Sequence, residues 1–143
     1  MLPFSTPNMA FNIAANAPVF FDTLSLMVNC CAAESTETFI KRTQSGADCS
    51  IYYGRWDNDD EREEFLVKRV SIDRQSYDEL CRALGTWGVR LWNGFCESNP
   101  EVLDGERFDL AISENGREIS SCGTNAYPEN YHSFTSALQK LFE

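Results

Sequence analysis

The stretch EFLVKRVSIDRQSYDELCRALGTWGV, residues 64–89, changes its hydrophobic period part-way along. From Glu64 to Ile72 the pattern alternates, with Phe65, Val67 and Arg69 on one side and Leu66, Lys68, Val70 and Ile72 on the other, as in a strand. Beyond it, Tyr77, Leu80, Cys81, Leu84 and Trp87 recur at steps of three and four, which is one face of an amphipathic helix. Asp73 stands where a carboxylate can cap the first free N–H groups. Gly88 can take the left-handed conformation that ends a helix, with Val89 folding back onto the last turn. A strand running directly into a helix points to an α+β protein.

The segments before this one read as strands: VFFDTLSLMVNC at 19–30, TETFIKRT at 36–43 and DCSIYYGRW at 48–56, rich in β-branched and aromatic residues. After it come a connector at 90–107, with turn signals at Asn93-Gly94 and Asp104-Gly105, and an alternating strand, RFDLAIS. Asn115-Gly116 suits a type I′ hairpin turn, and REISSCG is the returning strand. Tyr127, Tyr131, Phe134, Leu138 and Leu141 then recur at helical spacing. The expected fold is an antiparallel sheet of five to seven strands with two helices packed on one face, in the order β-β-β-β-α-β-β-α. Residues 1–18 form an N-terminal arm or edge strand, and 19–143 a single α+β domain. The expected core contains Leu26, Ile51, Phe65, Val67, Leu80, Leu84, Trp87, Phe108, Leu110, Ile112, Phe134 and Leu138.

A composition of 43% hydrophobic and 24% charged residues is that of a globular chain. The formal charge of −10 disfavours direct nucleic-acid binding, which needs a basic surface to displace counterions, and favours basic protein partners. No apolar run reaches membrane-spanning length. Six cysteines, at 30, 31, 49, 81, 96 and 122, include no CxxC pair and fall mostly in apolar stretches, so the expectation is a cytoplasmic protein with reduced thiols; a secreted three-disulfide protein is the rival.

From residue 50 onward the chain carries Gly88, Trp92 and Phe95, then VLDGERFDLAI at 102–112 and GTNAYPENYHSFTSAL at 123–138. In that order they resemble the pattern of a family of small, uncharacterised bacterial proteins. No activity comes with the resemblance, which implies a shared fold only.

Motifs for chemistry are scarce. One histidine and scattered cysteines make a zinc site improbable. DNDDEREEFLVK at 57–68 fails as an EF-hand, because Arg62 takes the glycine position and Lys68 that of the bidentate glutamate. No phosphate-binding glycine loop and no cofactor motif occurs. The catalytic options are Asp104 with Asp109 as acid and base of a hydrolytic enzyme, or a Cys122–His132 nucleophile pair. GTNAYPENYHSF at 123–134 reads as a strand-to-helix joint: Asn125 bonds its own backbone two residues on, and Pro128 begins the helix. A second reading makes it part of a small-molecule or peptide pocket formed by Trp92, Phe95, Asn125 and Tyr127.

The most distinctive feature is DNDDEREE, residues 57–64, with six carboxylates and one arginine, half of the chain's formal charge in eight residues. Trp56, Asp57, Asp59, Asp60, Glu61, Glu63 and Glu64 form the expected docking surface for a basic partner. The function read from the sequence is that of a noncatalytic acidic interaction protein. Its partner class includes a nucleic-acid-processing effector, inhibited by occupation of its nucleic-acid groove.

Overall fold

A computed structural model describes residues 16–30, 34–56, 62–101 and 105–143. The fold is α+β, with one seven-stranded sheet and, among the described residues of regular length, two helices. The strands are β1 (Thr23–Cys30), β2 (Glu34–Thr43), β3 (Gly46–Trp56), β4 (Arg62–Asp73), β5 (Cys96–Ser98), β6 (Glu106–Glu114) and β7 (Arg117–Thr124). Helix α1 spans Arg74–Thr86 and α2 spans Tyr131–Lys140, and a short 3-10 turn covers Val89–Trp92. The spatial order is β4-β3-β2-β1-β6-β7-β5.

The sheet is mixed rather than wholly antiparallel. Cys96–Ser98, which lies inside the expected connector, runs parallel to Cys122–Thr124 as an edge strand. Three residues are too few to show a period, so nothing local announces this strand. Its backbone is tied by Gly94 N–H to the Ser120 carbonyl at 2.9 Å and by Cys122 N–H to the Phe95 carbonyl at 2.8 Å. The first expected strand also begins late. Val19 instead donates to the Cys81 carbonyl, fastening the entry segment to α1.

The strand-to-helix joint follows the sequence reading. The Asp73 carboxylate accepts the Ser76 N–H at 2.8 Å, and this bond holds its carboxyl below the ordinary carboxylate value. Gly88 is left-handed, with φ 72°, and Val89 is buried against the core. Asn115 and Gly116 both have positive φ, as a two-residue hairpin turn requires.

One hydrophobic cluster contains Leu24, Leu26, Ile40, Cys49, Leu110 and Ile112 from the sheet, Tyr77, Leu80 and Leu84 from α1, and Tyr131, Phe134 and Leu138 from α2. The Tyr77 hydroxyl, itself buried, donates to the Phe21 carbonyl at 2.6 Å. Arg90 clamps the entry segment to the end of β6. It forms a two-point ion pair with Glu114, at 2.6 and 3.0 Å, and donates to the carbonyls of Ala17 and Pro18.

Two expected core residues are on the surface. Phe65 is 54% and Val67 61% exposed. For Val67 a register shift is responsible: Ile51 faces Lys68 but Tyr52 faces Leu66, so Val67 is an extra residue in a β-bulge, whereas Phe65, opposite Tyr53, keeps to the face of Ile51 but stands at the sheet edge. Alternation through β4 is broken there, and among the described residues β4 pairs only with β3, at the edge of the sheet. Ile51 and Trp87 are partly buried and pack against the core rather than lying within it.

Candidate functional site

The β3–β4 hairpin carries the acidic run. Asp57, Asp59, Asp60 and Glu61 lie outside the described residues. Of the remainder, Trp56 is half-exposed, and Glu63 and Glu64 are exposed. Arg62 reaches back over β3, with its guanidinium 2.8 Å from Ser35 Oγ and 3.6 Å from Glu64. It can do so because residue 54 is glycine: a Cβ there would stand 2.4 Å from Arg62 Nη2. The one cation of the run is therefore laid flat on the sheet, beside one of the run's own carboxylates. Cross-strand register sets Glu63 opposite Arg55.

The aromatic set does not assemble into a pocket. Trp92 is only 4% exposed and meets Phe134 edge-on at 5.5 Å. Tyr127 stacks on Phe108 and on Tyr131, at 5.9 and 4.8 Å, and its hydroxyl donates to Glu106 at 3.1 Å. Asn125 differs from its expected local turn. It is left-handed, with φ 55°, and exchanges bonds with Glu106, nineteen residues away: its Oδ1 accepts the Glu106 N–H at 3.0 Å and its own N–H donates to the Glu106 carbonyl at 2.9 Å. Pro128 precedes the helix, and its carbonyl accepts the Tyr131 N–H. Of the four, Phe95 borders a groove of about 560 Å³ on the face of the sheet away from α1 and α2, which also involves Met27, Ala111 and Cys122.

The catalytic options fare differently. Cys122 is bonded to Cys96 in a disulfide, which removes it as a nucleophile and corrects both the Cys122–His132 pair and the expectation of reduced thiols throughout. The two cysteines are directly opposite in the parallel β5–β7 ladder, a pairing that only the missed strand reveals. His132 sits exposed on α2 with its ring 5.0 Å from that of Tyr127. Asp109 is held by Arg107 through two bonds, at 3.0 and 3.1 Å, and Asp104 lies outside the described residues. Burial pushes the Cys49 thiol up to about 11, with Asp48 adding to the shift, so it stays protonated and inert. Among the described residues no three His, Cys, Asp or Glu side chains are grouped to hold a metal ion. No helix among them is long and apolar enough to cross a membrane.

A second cavity, of about 450 Å³, opens between α2 and the ends of β1, β2, β3 and β6. Glu34, Tyr53, Glu106, Tyr131, His132 and Gln139 border it. Cys30 is the cross-strand neighbour of both Glu34 and Glu106, which is how two distant glutamates reach one place. The Tyr131 hydroxyl is buried without a hydrogen-bond partner. Burial raises its pKa, and the charge of Glu106 and the neighbouring Tyr127 add to this. Tyr53 is shifted up by its bond to Glu34, and Tyr127 by burial and then by its bond to Glu106, so all three phenols remain proton donors at neutral pH. Nothing in the spacing of 34, 53, 106 and 131 signals this convergence; it depends on strand order.

Compared with models of known protein families the chain matches none, and no curated protein matches its sequence.

Proposed function

We propose that this chain is a noncatalytic acidic interaction protein, docking through its β3–β4 hairpin on a protein with a basic surface. The partner class is a nucleic-acid-processing effector whose nucleic-acid groove the carboxylates would fill. The observation that carries this reading is the hairpin itself: the two longest strands end in an acidic run, flanked by half-exposed Trp56 and by exposed Glu63, Glu64 and Phe65. An aromatic anchor beside carboxylates suits a surface of arginines and lysines, through bidentate pairs and cation–π contact. The disulfide at Cys122 and the Arg107-bound Asp109 support a noncatalytic reading.

The test is charge reversal at Asp59→Lys and Asp60→Lys. The immobilised wild-type chain should retain a basic protein from a lysate of its source cells, release it as salt rises and lose it to added DNA or RNA. The double variant should lose that capture. Retention indifferent to salt, to nucleic acid and to the substitutions would overturn the reading.

The cavity beside α2 favours a second reading, a small-molecule module. Two carboxylates, two phenols and no lysine or arginine among its described lining residues suit a small organic cation. Its basis is the unpartnered Tyr131 hydroxyl. Tyr131→Phe should therefore leave stability unchanged or raise it by up to about 1 kcal/mol in denaturant unfolding. A marked loss would show that the hydroxyl already has a partner within the fold and would remove that basis.

A further inference from the structure

Among the described residues no strand lies beside the outer edge of β4, and the middle of that strand is apolar. Phe65, Leu66 and Val67 are each about half exposed or more. The unpaired N–H and C=O groups of an uncovered strand edge are a template for further strand pairing. Its flanks are charged in a particular order. Glu63 and Glu64 precede the apolar triplet, and Lys68 and Arg69 follow it. Turned end for end, the segment presents bases where it had acids, so it is complementary to itself.

We propose that β4 pairs antiparallel with β4 of a second copy about a two-fold axis between Leu66 and Val67, making one sheet continuous across a dimer. Pairing about that axis sets Leu66 opposite Val67 of the second copy, Phe65 opposite Lys68, Glu64 opposite Arg69 and Glu63 opposite Val70. Residues directly opposite in a sheet must share a face, and the bulge makes this possible. In a regular strand Glu64 and Arg69, five apart, would point to opposite sides. Here the register shift brings Glu64 and Leu66 to the side of Gly54 and Tyr52, and Arg69 to the same side with Ser50. Phe65 and Lys68 both lie on the other side, with Tyr53 and Ile51.

Each interface then holds two Glu64–Arg69 contacts on one face. On the other, the two Lys68 stems lie against the two Phe65 rings, with Glu63 diagonal to each ammonium. Lys68 also donates to the Phe142 carbonyl of its own chain, and Glu64 keeps Arg62 on its other side. An isologous contact uses one patch twice, so it closes at two copies rather than growing into a fibre. The edge left open by the fold is thereby covered. This goes beyond the partner reading and stands without it: the ladder from Arg62 to Ser71 takes up Glu63, Glu64 and Phe65 and leaves Asp59 and Asp60, the positions reversed in the partner test, outside it.

The test is mass in solution with a charge swap. At high micromolar concentration and low salt the wild-type chain should sediment at twice its 16.2 kDa mass. Glu64→Arg alone faces like charge twice across the axis, as does Arg69→Glu alone, and each should weaken self-association at least about tenfold. Mixing the two single variants should restore dimers, now mixed ones. The arginine introduced at position 64 of one chain then meets the glutamate introduced at position 69 of the other, and the remaining Glu64 meets the remaining Arg69. The double variant E64R/R69E should dimerise by itself. Restoration on mixing also shows that both single variants are folded. A wild-type chain that stays at monomer mass, a dimer indifferent to both reversals, or a mixture that remains monomeric would each overturn the proposal.

Discussion

Phe134→Ala should destabilise the protein by about 3–5 kcal/mol, the largest loss expected of any single substitution considered. Phe134 is fully buried at the centre of an aromatic group that joins three separate parts of the chain. It meets Trp92 of the 3-10 turn at 5.5 Å, Trp87 at the end of α1 at 6.4 Å and Tyr131 one turn earlier on α2 at 6.3 Å. Deleting the ring removes its transfer free energy and leaves a hole between neighbours that are themselves rigid rings and close poorly. Helix α2 has no side-chain N-cap to hold it independently, since Asn130 is left-handed and makes no capping bond. It depends on this packing to stay on the sheet. Denaturant unfolding should show a lower midpoint with an unchanged slope. Hydrogen exchange should show α2 losing protection before the strands. A loss under about 1 kcal/mol would mean that the aromatic group is loosely packed.

Removing the Cys96–Cys122 bond, by Cys96→Ser with Cys122→Ser, should cost about 3 kcal/mol. The two residues are 26 apart in sequence, and a bridge closing a loop of that length restricts the unfolded chain substantially. The folded state loses little else, because β5 is also held by backbone bonds to β7. The effect should therefore appear in equilibrium stability and hardly at all in strand content by circular dichroism. The same shift should follow from adding a reductant to the wild-type protein, and the double variant should be insensitive to reductant. A wild-type midpoint that reductant does not move would show that the bond contributes nothing. The bridge also makes stability depend on the redox state of the surroundings, which an all-thiol protein would not show.

The α+β class, the junction at Asp73, the Gly88 stop and the Asn115-Gly116 turn were all legible because each rests on residues within a few positions of one another. A cap, a left-handed glycine or a two-residue turn is decided by local backbone energetics. Most of the core list was legible for the same reason, since Leu80, Leu84, Leu110, Ile112 and Leu138 follow a local period. Phe65 and Val67 were misread because burial needs a partner layer as well as a period, and β4 stands at the sheet edge. The disulfide was hidden behind β5, a strand too short to read, and Asn125 bonds Glu106 rather than its own turn.

The acidic run is visible in composition alone, whereas the cavity beside α2 is not. Glu34 and Glu106 meet there only because β1 pairs with β2 on one side and with β6 on the other. By itself, then, the order of residues determined where the chain bends, which segments alternate and where charge gathers, since these are properties of neighbours. Strand order, the bulge at Val67, the Cys96–Cys122 pairing and the open β4 edge belonged to the tertiary structure. They depend on contacts between residues far apart in the chain, whose free energy exists only once the whole sheet has assembled.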